Sequence, residues 1–72
     1  MVFYFFMRLT VNGELLEISH AGTVKELLRE LQVQSGQVAV EVNLFIVKKA
    51  DYPIFRLTDG DKVEIVNFVG GG

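Results

Sequence analysis

The residues with the clearest chemical use stand at the end of the chain, where Val69 is followed by Gly70, Gly71 and Gly72. At an average glycine usage of roughly 7%, three in succession at one fixed place arise by chance at about 3 × 10⁻⁴. Glycine has no Cβ, so such a tail is thin and its backbone can approach another surface closely. An α-carboxylate on Gly72 would then be a group to present to a partner. A carboxylate is a poor electrophile, so its activation belongs inside another protein's pocket, and a narrow tail lets that pocket close and exclude water. The competing explanation is an ordinary loose terminus or an expression scar.

Little else in the chain could react. There is no cysteine, which excludes a disulfide scaffold, a zinc–thiolate site and a thiol nucleophile. The single histidine, His20, sits beside Ser19, Gly22 and Thr23. It has no second imidazole or thiolate with which to share a metal, and reads as a solvent-facing loop residue. No nucleophile, base and orienting group can be assembled, so a free-standing enzyme is the least favoured class. Lys48, Lys49 and Arg56 make at most a small solvated basic face. The net charge of −2 argues against a nucleic-acid partner, which calls for a basic excess. An apolar content of 50% against 22% charged residues excludes disorder. The run Met1-Val2-Phe3-Tyr4-Phe5-Phe6-Met7 lacks a cationic start and is broken by Arg8. It is neither a signal peptide nor close to the roughly 20 residues that span a bilayer. The expectation is a soluble cytoplasmic protein without a membrane partner.

The tail needs a body to carry it, and 72 residues allow one domain. A chain this short buries only about 60% of its unfolded surface, so its core must be efficient. Phe3 to Val11 is rich in aromatic and β-branched types and predicts a strand. Asn12-Gly13 follows, a strong hairpin signal because both residues of the turn need positive φ. A second strand over about Glu14 to Ile18 then pairs Val11 with Glu14, Leu9 with Leu16 and Met7 with Ile18. That register collects Met7, Leu9, Leu16 and Ile18 on one face.

Thr23 and Glu26 have the spacing of a capping box. Behind them Val24, Leu27, Leu28 and Leu31 recur as one apolar helical stripe, with Lys25, Glu26, Arg29 and Glu30 outside it. Gly36 ends the connection out of this helix, and Val38 to Val42 alternates as a third strand. Lys48 to Tyr52 predicts a short helical turn before Pro53. Ile54 to Leu57 is expected to form a short edge strand, since Pro53 cannot donate to a ladder. Asp59-Gly60-Asp61 is a turn, and Lys62 to Phe68 is the last strand, with Val63 and Ile65 inward and Lys62, Glu64, Val66 and Phe68 outward. The order β-β-α-β-(β)-β, with one helix against one mixed sheet, is the β-grasp arrangement of ubiquitin-like proteins. The fold class is α+β: a mixed sheet of four to five strands with one main helix on one face. The domain spans residues 1–69, with 1–6 as an extension of the first strand, and residues 70–72 form a flexible tail.

Three features together resemble the ThiS family of sulfur carriers in thiamine biosynthesis. They are the Asn12-Gly13 hairpin, the stretch Leu57-Thr58-Asp59-Gly60-Asp61-Lys62-Val63-Glu64-Ile65-Val66, and the end Phe68-Val69-Gly70-Gly71-Gly72. The likeness covers nearly the whole chain from Met7. It implies a carrier that binds no cofactor of its own. An E1-like adenylating enzyme uses ATP and Mg²⁺ to activate the terminal carboxylate, and sulfur derived from cysteine through a desulfurase relay turns it into a thiocarboxylate. Thiazole synthase then takes the sulfur. Carried onto this chain, Gly72 holds the reacting carboxyl, Gly71 completes the diglycine, and Gly70 and Val69 extend the tail into partner active sites.

Related carriers stay open as alternatives. The small subunit of molybdopterin synthase shares fold and ending, but tends to have proline and alanine or serine before the glycines, unlike Val66-Asn67-Phe68-Val69. Carriers for tRNA thiolation, protein-conjugating relatives and an interaction module with an inert tail complete the set. Two departures from the family pattern stand out. Met1 to Phe6 precede the usual start, and could lengthen an edge or support self-association. Asn43-Leu44-Phe45 puts two apolar residues at a turn, where burial or packing on the chain is the favoured expectation over an exposed contact patch. For docking, the outer sheet face with Arg8, Leu15, Val66 and Phe68 is expected to serve, with Val66 and Phe68 next to the tail.

Overall fold

The computed structural model describes residues 6–19 and 21–68. The expectations for Met1 to Phe5, for His20 and for Val69 to Gly72 lie outside the described residues. Strand β1 (Met7–Val11) turns through Asn12 (φ 50°) and Gly13 (φ 84°) into β2 (Glu14–Ile18). The antiparallel register is Met7 with Ile18, Leu9 with Leu16 and Val11 with Glu14, as the spacing predicts.

Helix α1 (Val24–Glu30) begins at Thr23, whose hydroxyl accepts from the Glu26 amide while the Glu26 side chain accepts from the Thr23 amide. The expected capping box is therefore present, satisfying amides that have no partner inside a helix. Gln32 ends the helix at φ 58°. Its amide donates to the Arg29 carbonyl at 3.0 Å, and the Val33 amide donates to that of Leu28 at 2.8 Å. This pair of bonds is the Schellman closure, built here without the glycine it usually employs.

A 3-10 turn (Ser35–Gln37) leads into β3 (Val38–Val42), and the chain then reverses into β4 (Phe45–Val47). Here the structure corrects the sequence. The fourth strand is Phe45–Val47 and not Ile54 to Leu57. Asn43 (φ 51°) and Leu44 (φ 70°) both take positive φ, the two-residue hairpin geometry that sends the chain straight back along β3. The segment after Pro53 is used differently. The Phe55 amide closes a tight turn on the Asp51 carbonyl at 2.8 Å, behind the expected 3-10 turn Lys49–Asp51. Phe55 and Leu57 then tie to Val24 and Gly22 at 3.0 and 2.9 Å, docking this segment on the helix start. Only the bridge between Thr23 and Arg56 is strand-like there.

The sheet closes with β5 (Lys62–Asn67). The strand order is β2-β1-β5-β3-β4, with β5 parallel to β1 and antiparallel to β3. The helix covers one face. Leu9, Val24, Leu27, Leu28, Val40 and Val63 are fully buried there, and Leu31 and Ile65 pack against this centre while half-buried. This is the ubiquitin-like β-grasp fold.

The expected burial of Leu44 and Phe45 does not occur, because they stand at a hairpin tip. Leu44 is 84% and Phe45 61% exposed. Phe45 does pack on the chain, stacking on Phe55 with centroids 5.9 Å apart, yet keeps most of its surface in solvent.

Candidate functional site

The strand that leads to the glycine tail is β5, and the fold grips it from both sides. Inward, Val63 is completely buried and Ile65 packs on the core. On the β1 side, the Thr10 amide donates to the Asp61 carbonyl at 3.0 Å and the Asn12 amide to the Val63 carbonyl at 2.9 Å. The next rung comes from a side chain. Asn12 Oδ1 accepts from the Ile65 amide at 2.7 Å, and Asn12 Nδ2 donates to the Ile65 carbonyl at 3.1 Å.

On the β3 side a second hairpin asparagine acts at the start of the strand. The Asn43 amide donates to the Lys62 carbonyl at 2.8 Å, and Asn43 Oδ1 accepts from the Lys62 amide at 2.9 Å. Asn43 Nδ2 donates to Asp61 Oδ1 at 2.9 Å. Asp61, only 8% exposed, also accepts from the Thr58 hydroxyl at 3.0 Å and from the Thr58 amide at 2.8 Å. A buried carboxylate needs such partners, and here they lock the Thr58–Asp61 turn to the β3–β4 hairpin. Past the end of β5, the Phe68 amide donates to the Gln37 carbonyl at 2.7 Å. The backbone is thus held to within one residue of Val69.

Of the residues singled out in the sequence, Val66 and Phe68 are 52% and 56% exposed. Val66 lies opposite Ala39 on the sheet face away from the helix. Leu15 is exposed on β2, and Arg8 is tied through its amide to Asp59 at 2.7 Å. Val69, Gly70, Gly71 and Gly72 fall outside the described residues, as does His20. Beside the strand's exit, Gln32, Val33, Gln34, Gln37 and Asn67 line a polar cleft of about 320 Å³. The basic residues do not gather into a patch: Lys49 Nζ donates to the Gly36 carbonyl at 2.9 Å, and Arg56 lies beside the Glu26 carboxylate at the helix start.

Bonds from the Gly22 and Thr23 amides hold the Glu26 carboxyl below its usual range. Burial pushes the Tyr52 phenol up. Glu26 belongs to the capping box, while the Tyr52 hydroxyl donates to the Val38 carbonyl at 3.4 Å, on the residue that pairs with Asn67 at the end of β5. Among the described residues no group of His, Asp or Glu is arranged to hold a metal ion, and no helix is long and apolar enough to cross a membrane.

Asn12 was legible as a turn former, but its bonds to Ile65, 53 residues away, leave no local trace in the sequence. Asn43 and Gln37 leave none for the same reason, whereas Asp61 bonds locally to Thr58 and only its bond to Asn43 is long-range. The Asn-Leu pair after an alternating strand was the available signal for the second hairpin.

Comparison with known proteins places these features in context. A model of the ThiS family matches residues 9–72. The thiazole synthase of Paramagnetospirillum magneticum is 53% identical over 66 residues, covering 92% of this chain but 20% of that protein. The chain thus spans about a fifth of the length of that relative. The sulfur carrier protein ThiS of Bacillus subtilis is 45% identical over 51 residues, 71% of this chain and 77% of that one. The crystal structure of a thiamine biosynthesis protein (ThiS) from Geobacter metallireducens superposes with a TM-score of 0.77 at 39% identity, covering 92% of this chain and all of that one.

Proposed function

The chain belongs to the ThiS family, and from that premise we propose that it is a sulfur carrier for thiamine biosynthesis, reacting through the carboxylate of Gly72. The observation that carries this reading is that the family match runs through the diglycine to Gly72 on a fold that anchors the preceding strand up to Phe68. The protein is a substrate for other enzymes and not itself a catalyst.

The chemistry follows from the weak electrophilicity of a carboxylate. In the pocket of an E1-like adenylating enzyme, with ATP and Mg²⁺, a Gly72 carboxylate oxygen attacks the α-phosphorus. An acyl-adenylate forms and pyrophosphate leaves. The outer sulfur of a persulfide, formed from cysteine by a desulfurase and released at the sulfide level by a thiol reductant that is oxidised to a disulfide, adds to the acyl carbon and AMP departs. The product is a thiocarboxylate. Thiazole synthase takes the sulfur and the carboxylate is restored. The naming of two relatives as thiazole synthase, each holding a stretch like this chain within a longer protein, supports that recipient.

In this mechanism the chain contributes presentation. The hydrogen bonds along β5 hold the backbone up to Phe68, and in this reading Val69, Gly70 and Gly71 are the residues that enter the partner's pocket. Val66 and Phe68 are the apolar side chains a partner would cover on gripping it. Intact mass spectrometry after incubation with ATP, the adenylating enzyme and sulfide tests the reading. The expected result is a mass gain equal to exchange of one oxygen for sulfur at Gly72, lost on deletion of Gly71 and Gly72. No gain, with the enzyme shown active on another carrier, would refute it.

A further inference from the structure

We propose that Asn12, besides forming the β1–β2 turn, is a positioning residue for the reaction at the tail: its side chain stands in for the missing next residue of β1 and holds β5 in place where it leaves the sheet. This inference rests on the sulfur-carrier reading above.

The geometry is that of a ladder rung. Along the β1 edge of β5, the carbonyls of Asp61 and Val63 are taken by the amides of Thr10 and Asn12. The next residue on that edge is Ile65. By then the chain has turned away through Asn12 and Gly13, so β1 has no backbone left to offer. The Asn12 carboxamide supplies both halves of the rung, accepting from the Ile65 amide at 2.7 Å and donating to its carbonyl at 3.1 Å. Asparagine is well suited to this double task. It tolerates the positive φ of the turn, and its side chain carries an acceptor and a donor with the spacing of a peptide group. Aspartate would keep the turn and the acceptor only. Glycine would keep the turn and neither bond.

Ile65 is the last inward apolar residue of β5 and lies three residues before Phe68. Loss of the rung frees the β1 edge of β5 at Ile65 and leaves the end of the strand held by β3 and Gln37 alone, so it is ordered less tightly in the free protein. The adenylating enzyme must then re-order it on binding, and the entropy of that ordering weakens apparent affinity for the carrier. Once docked, the tail reaches the same pocket. The cost therefore falls on KM and not on kcat.

The test uses the full chain as wild type, Asn12→Asp and Asn12→Gly. Hydrogen exchange at the Ile65 amide should quicken in the order wild type, Asp, Gly, while β1–β2 hairpin amides stay protected. In thiocarboxylate formation by the adenylating enzyme at 25 °C, Asn12→Gly should raise KM for the carrier by about five- to thirty-fold, the equivalent of re-ordering one residue. Its kcat should stay within about two-fold of wild type, with Asn12→Asp between the two in KM. Unchanged Ile65 exchange and KM in Asn12→Gly would overturn the proposal, as would loss of protection throughout the hairpin, which would make Asn12 a turn former alone. Failure of the wild-type chain to gain sulfur would strike the carrier reading instead, and the exchange result would still judge the rung.

Discussion

Leu44 gives the sharpest test of the backbone reading. It sits at φ 70° and is 84% exposed, in the second position of the β3–β4 turn. The left-handed region costs an L-residue with a Cβ roughly 1–2 kcal/mol. Leu44→Gly removes that strain. Against the gain stand the extra freedom of glycine in the unfolded chain, about 0.4–1 kcal/mol, and a few tenths of a kcal/mol for the small apolar area Leu44 still hides. The balance is a net stabilisation of about 0.5 kcal/mol. With a urea slope near 1 kcal/mol/M for so small a domain, the unfolding midpoint should rise by roughly half a molar. Leu44→Ala is the control. It removes the same exposed side chain but keeps a Cβ at positive φ, so it should give no stabilisation. A midpoint for Leu44→Gly at or below that of wild type would refute the reasoning. So would equal effects of Gly and Ala, which would point to the exposed side chain and not the turn conformation.

Three further outcomes follow from contacts described above. Asp61→Ala leaves donors on Asn43 and Thr58 without their acceptor and should cost about 1–3 kcal/mol in urea unfolding; a loss under half that would show the network to be incidental. Gln32→Gly at the end of α1 relieves a second positive φ and should stabilise by about 0.5–1 kcal/mol, read from the same midpoints. The Gly22 and Thr23 amides hold the Glu26 carboxyl below the ordinary glutamate range, so its contribution is complete above that range and is lost as pH falls through the folded value. Its side-chain carboxyl, followed by NMR, should titrate below the ordinary glutamate range, and Glu26→Gln should lack this acid-sensitive component of stability.

Legibility in the sequence depended on how far apart the partners lie. The β1–β2 register, the capping box on Thr23 and Glu26, and the stripe Val24, Leu27, Leu28 all rest on neighbours within a few residues, and local periodicity shows them. The fourth strand was misplaced because Leu44 occupies a φ that normally selects glycine or asparagine, so the hairpin lacked its usual mark. Ile54 to Leu57 looked like a strand by composition, yet its backbone groups are taken by Asp51, Val24 and Gly22. That competition is tertiary. For the candidate site, the exposure of Val66 and Phe68 could be read from the sequence. The two asparagines that pin β5 could not, since each acts on a partner about 20 to 50 residues away.

The position of β5 also has a consequence for biogenesis. Each hairpin, β1–β2 and β3–β4, joins neighbours in the chain and can form early, but the two touch β5 on its opposite edges. β5, fifth of the five strands in chain order, is thus the keystone of the sheet, and non-local closures of this kind come late in folding. A nascent chain that has not yet delivered Lys62–Asn67 holds two unjoined hairpins with an open core, a target for chaperones and proteases. Closure of the globule is therefore coupled to emergence of the strand that carries Val66, because β5 alone joins the two hairpins into one sheet.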